Sequence, residues 1–78
     1  MQYDFKVIGR VIKQQRRKRK WTQEVASGFA ALNRPHYASI ELGKCAEIET
    51  LAKIAAAFDM RLSDLFLLVE AEMDKNAE

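Results

Sequence analysis

The chain is 78 residues long, 49% hydrophobic and 31% charged. That is enough for one globular domain with a modest core, and it is not a disordered composition. The net charge of +2 hides an asymmetry. Residues 1–44 carry ten Lys and Arg against three acids, a balance of +7. Residues 45–78 carry three against eight, a balance of −5. One end is therefore suited to a polyanion and the other repels it, which favours a single docking orientation. No apolar run approaches the roughly 20 residues that span a bilayer. Met1–Phe5 lacks a secretory signal pattern, and one cysteine, Cys45, excludes an intrachain disulfide. These features predict a cytoplasmic protein with no membrane association.

Five helices and no strand are predicted. The first covers 4–19, with Phe5, Ile8, Val11, Ile12 and Gln15 at helical spacing. Asp4 is its expected N-cap, and cations gather near its C-terminal end, where the helix dipole favours them. The second covers 22–30, capped by Thr22 with Glu24 in its first turn. Trp21 is expected to staple back onto it against Ala26. Gly28 is a weak point inside it, costing up to about 1 kcal/mol against alanine. The third covers 33–42, with Asn33 as N-cap, Pro35 in the first turn and Gly43 closing it. The fourth covers 47–58. Ser63 is expected to cap the fifth, 63–73, leaving a frayed polar tail. Short helices with short connections predict an all-α bundle forming a single domain over 1–78.

Two short helices joined by a tight turn, directly after the basic run Arg16-Arg17-Lys18-Arg19-Lys20, follow the grammar of a helix-turn-helix. Ile8-Gly9, Thr22-Gln23-Glu24, Leu32-Asn33-Arg34, Ile40-Glu41, Gly43, Ile48-Glu49-Thr50-Leu51 and Leu62-Ser63-Asp64-Leu65-Phe66 resemble the Cro/phage-repressor (XRE-type) helix-turn-helix family. The resemblance spans roughly residues 8–66. The short length is similar to that of restriction–modification controller proteins. Ala26, Ser27, Ala31, Pro35 and Tyr37 depart from the family's usual residues, Ala31 standing where the turn usually has glycine.

The resemblance implies a lambda-repressor-like DNA-binding domain whose third helix, about 34–41, enters the major groove of double-stranded DNA. It assigns base or phosphate contacts to Asn33, Arg34, His36, Ala38 and Ser39. Arg34 has the geometry for a two-bond contact with guanine, and a phosphate is its other partner. His36 is either a donor to DNA or a plain surface residue. Gln23 is expected on a phosphate at the start of the second helix. From the basic run, Arg16, Arg17 and Arg19 are candidates for the DNA backbone, as is Lys44 beyond the third helix. Glu41 should avoid phosphate and pair with Arg16 or Arg17 instead.

The fifth segment is more apolar than one face of a monomer needs. Phe66, Val69 and Met73 are the expected dimer face, giving a homodimer on a palindromic operator. The predicted function is therefore sequence-specific transcription regulation. An antitoxin that represses its own promoter and binds a partner protein is the alternative, as is a protein-interaction adaptor of the same fold. No catalytic constellation, metal-ligand spacing or cofactor motif is visible, so no enzyme activity, metal or cofactor is predicted. Cys45 receives no role.

Overall fold

The computed structural model describes residues 2–76, and their order is five α-helices: α1 (Phe5–Lys18), α2 (Gln23–Phe29), α3 (Arg34–Glu41), α4 (Ile48–Ala57) and α5 (Leu62–Asn76). No strand occurs among the described residues. Each of the first three helices starts where a short polar side chain satisfies an orphan backbone N–H. Asp4 Oδ1 accepts from Lys6 N at 2.8 Å, Thr22 Oγ1 from Val25 N at 3.1 Å, and Asn33 Oδ1 from His36 N at 2.8 Å. The start of α5 departs from expectation. Asp64 Oδ2 accepts from Arg61 N at 3.0 Å, so the helix opens at Leu62 and Ser63 is not the cap. It also continues to Asn76 rather than fraying at residue 73.

The first four helices end in one way. The residue after the C-cap takes a left-handed backbone conformation: Lys20 (φ 60°), Ala31 (φ 56°), Gly43 (φ 101°) and Asp59 (φ 58°). Its N–H, and the next one, bond back into the last turn, as in Ala31 N to Gly28 O (3.1 Å) and Leu32 N to Ser27 O (2.9 Å). The same pair of bonds recurs at Lys20–Trp21, Gly43–Lys44 and Asp59–Met60. These are Schellman closures, and they satisfy carbonyls that would otherwise be orphaned. Glycine fills only one of the four left-handed positions.

The core draws on every helix. It contains Ile8 and Ile12 of α1, Ala26 of α2, Tyr37 and Ile40 of α3, Ile54 of α4, Phe58 at the end of α4, and Leu65 and Val69 of α5. Helix α1 packs against both α3 and α5, while α2 bridges α3 and α4. Gly9 sets the spacing between α1 and α3. A Cβ there would lie 2.4 Å from the Ile40 carbonyl oxygen and 2.6 Å from that of Glu41. Only glycine lets the two backbones come this close.

Trp21 lies across the other end of α1. Its ring centroid is 4.9 Å from that of Phe29 and 5.9 Å from that of Phe58, so its aromatic partners are these two rings. Arg19 lies over Phe58 at 4.9 Å. No described helix is long and apolar enough to cross a membrane.

Candidate nucleic-acid interface

Helix α3 divides cleanly. Tyr37, Ile40 and Glu41 are buried, and Arg34, Pro35 and His36 are exposed at its start. Ala38 and Ser39 are half-buried, and Leu42, just past its end, is 82% exposed. Of the predicted site residues, Arg34, His36, Ala38 and Ser39 therefore share this helix with their side chains at or near the surface. Ser39 Oγ donates to the His36 carbonyl at 2.7 Å, leaving only its lone pairs for an outside partner. Asn33 spends its side-chain oxygen on the cap of α3. Lys44 is exposed two residues beyond Leu42, and Arg17 is exposed on α1.

Glu41 organises the inner side. Its Oε2 accepts from Arg16 Nε at 2.7 Å, and its Oε1 accepts from Arg16 Nη2 and from Gln23 Nε2, each at 3.1 Å. One carboxylate thus joins α1, the start of α2 and the end of α3. The Glu41 side chain is only 2% exposed and that of Arg16 12%. Burial alone pushes a carboxyl pKa up. Here the hydrogen bonds from Arg16 and Gln23, with the Arg16 charge, outweigh burial and hold Glu41 below the usual range.

Three of the side chains expected on the DNA backbone make bonds within the fold. Arg16 is the partner of Glu41, and its Nη1 also donates to the Trp21 carbonyl at 2.9 Å, so its head is held inside the fold. Gln23 has one amide proton committed to Glu41. Arg19 is likewise turned inward: Nη1 donates to the Gln15 backbone and side-chain oxygens, both at 3.0 Å, and Nη2 to the Phe58 carbonyl at 2.8 Å. It locks the end of α1 to the end of α4.

The Tyr37 hydroxyl is buried beside this network without a hydrogen-bond partner. Burial first, and the Glu41 carboxylate second, push its pKa well above the ordinary phenol value. In front of the network lies an open polar hollow lined by Arg16, Thr22, Gln23, Glu24 and Arg34.

The pattern of a family described as helix-turn-helix matches residues 12–65. The chain belongs to the XRE-type helix-turn-helix family. Several proteins of known structure share its fold. The clp gene regulator ClgR from Corynebacterium glutamicum superposes with a TM-score of 0.85 at 18% identity, over 94% of this chain and 79% of that one. The restriction-modification controller protein C.Esp1396I gives 0.83 at 24% identity, over 91% and 94%. The controller protein C.AhdI from Aeromonas hydrophila gives 0.75 at 22%, over 80% and 96%. No curated protein sequence matches. Within the helix-turn-helix, α2 and α3 are the two helices, and Ala30–Asn33 is the turn.

The predicted dimer face is only partly available. Val69 is fully buried in the chain's own core, which removes it from any such face, because its stripe of α5 packs inward. Phe66 is half-buried, and its ring meets that of Tyr3 edge-on at 5.0 Å. Met73 is half-buried near Asp4 and Val7. Ile48 and Leu67, which the sequence pattern did not single out for this role, are 70% and 64% exposed. Among the described residues no cluster of three or more His, Cys, Asp or Glu side chains could hold a metal.

Proposed function

We propose that this chain is a sequence-specific transcription regulator that binds double-stranded DNA as a homodimer, with α3 in the major groove. The observation that carries the reading is the division of α3 within a helix-turn-helix: its inner face is fixed to α1 and α2 through Glu41, and its outer face is left to solvent. A rigidly held helix with an open outer face is what base readout requires. Arg34 and His36 flank that face for base or phosphate contact, with Ala38 and Ser39 within it. Arg17 and Lys44 are suited to phosphates, and Gln23 retains one amide proton to donate to one. The basic first half of the chain favours this orientation, and the charge of the acidic second half disfavours the reverse one.

The partner subunit is assigned to the face of Phe66 and Met73, widened to Ile48 in place of the buried Val69. Support comes from an apolar hollow lined by Tyr3, Phe5, Ile48, Leu51 and Phe66. A two-fold dimer sets two α3 helices about 34 Å apart and calls for a palindromic site. Selection from random duplex DNA, with sedimentation of the same sample, tests the reading. A two-fold motif bound by a dimer is the expected result. Binding without a motif, or a monomer at every concentration, overturns the corresponding half of it.

A further inference from the structure

The outer face of α3 is unusual in what it lacks. Pro35, Ala38, Ser39 and Leu42 follow one another at intervals of three, one and three residues, which places them in one stripe along the helix. The opposite stripe is the buried one, Tyr37, Ile40 and Glu41. Pro35 is exposed, Leu42 is 82% exposed, and Ala38 and Ser39 lie between them. Three of these four side chains are purely apolar. The fourth, Ser39, has already given its only proton to the His36 carbonyl. The stripe therefore presents methyl and methylene groups and one acceptor oxygen, and no hydrogen-bond donor. The side-chain donors of α3 that remain exposed and uncommitted, Arg34 and His36, sit at its N-terminal edge.

A guanine edge in the major groove shows two acceptors, O6 and N7, and a donor must satisfy them. Pressed against this stripe they would be desolvated without a partner, which is costly. A thymine edge shows a C5 methyl group, which an apolar side chain covers favourably. We infer that Pro35, Ala38 and Leu42 read thymine methyl groups, so that each half-site carries a thymine-rich centre bordered by the base pair that Arg34 contacts. Leu42 is the residue that sequence reasoning overlooks. It follows the last residue of α3, and its type suggests core rather than surface.

The inference rests on α3 being the groove-facing helix, and the test separates the two. The site is first obtained by selection from random duplex DNA. Each central thymine is then replaced by uracil, which removes the methyl and keeps the base pair. Affinity is expected to fall roughly fourfold per contacted methyl, from the transfer free energy of one buried carbon. In Leu42→Ser the uracil penalty should vanish at one position per half-site, with a thermal midpoint little changed because residue 42 is 82% exposed. A selected motif with guanine–cytosine centres, or uracil duplexes that bind as tightly as thymine duplexes, overturns the thymine reading while leaving the regulator intact. An equal uracil penalty in Leu42→Ser and the unaltered chain overturns the role of Leu42. Failure to select any motif overturns sequence-specific binding itself.

Discussion

Arg16 and Glu41 are 25 residues apart in sequence, and their side chains meet through two parallel hydrogen bonds, 2.7 Å and 3.1 Å long. This fork-to-fork contact sets the end of α3 against α1, and Gln23 joins it from α2. Replacing Glu41 by glutamine keeps the shape and removes the charge. The expected loss is about 1.5–3 kcal/mol, the worth of a hydrogen bond to a charged group. Urea unfolding of the two proteins measures it, and equal midpoints would mean that the pair adds nothing.

The same carboxylate gives stability a defined pH dependence. Its pKa is lower in the folded state than in the unfolded chain. The contribution is therefore complete above the unfolded value, about 4.3, and is lost as pH falls through the lowered folded value. Thermal melts of the unaltered protein and Glu41→Gln should converge as the pH drops below about 4 and stay separated by a constant margin at neutral pH. A margin that grows on acidification contradicts this.

Gly9→Ala should disturb α3 more than its size suggests. The added methyl meets two backbone carbonyl oxygens, not a side chain that can swing away. Overpacking of this kind costs about 1–3 kcal/mol. Because the displaced backbone belongs to α3, DNA affinity should fall at temperatures where the variant is still fully folded. Circular dichroism and binding measured on the same sample separate the two effects.

Glycine and alanine stand in exchanged places around the helix-turn-helix turn. Ala31 holds φ at 56°, a conformation costing an L-residue about 1–2 kcal/mol. Gly28, inside α2, has open space where a Cβ would go. Ala31→Gly is expected to stabilise by up to about 1 kcal/mol after the added unfolded-state entropy of glycine. Gly28→Ala should add about 0.5–1 kcal/mol. Together they should raise the melting temperature by several degrees in a domain of this size, roughly 4–8 °C per kcal/mol.

Tyr37→Phe removes a buried hydroxyl that has no partner. Leaving such a group unsatisfied costs about 1–3 kcal/mol, so the variant should be more stable, by about 1 kcal/mol in chemical unfolding. A destabilised variant would mean that the hydroxyl is bonded in solution.

The parts of this fold that were legible in the sequence are those set by neighbours in the chain. Asp4, Thr22 and Asn33 cap by reaching two or three residues ahead, and apolar spacing fixes each buried stripe, so all five helices lie within a few residues of where the pattern puts them. The capping of α5 by Asp64 was missed because Ser63 beside it is an equally good cap by type. The left-handed positions at Lys20 and Asp59 were not anticipated, and Ala31 was marked only because it stands where the resembled family has glycine. Glu41 could be matched to an arginine of α1 from charge alone. Its bond to Gln23, and the inward turn of Arg19, depend on how α2 and α4 meet α1. Val69 and Phe66 are both apolar and three residues apart, and only the packed bundle decides which one is hidden.

Each of the first four helices carries its own stop, made from backbone bonds inside its last turn. Where α3 ends is therefore indifferent to what its outer side chains are. Pro35 and Leu42 can be exchanged for other residues without moving the frame that holds Glu41. If α3 reads DNA as proposed, a descendant of this chain can acquire a new target in a handful of substitutions, because the outer side chains and the scaffold that holds them are written at different positions.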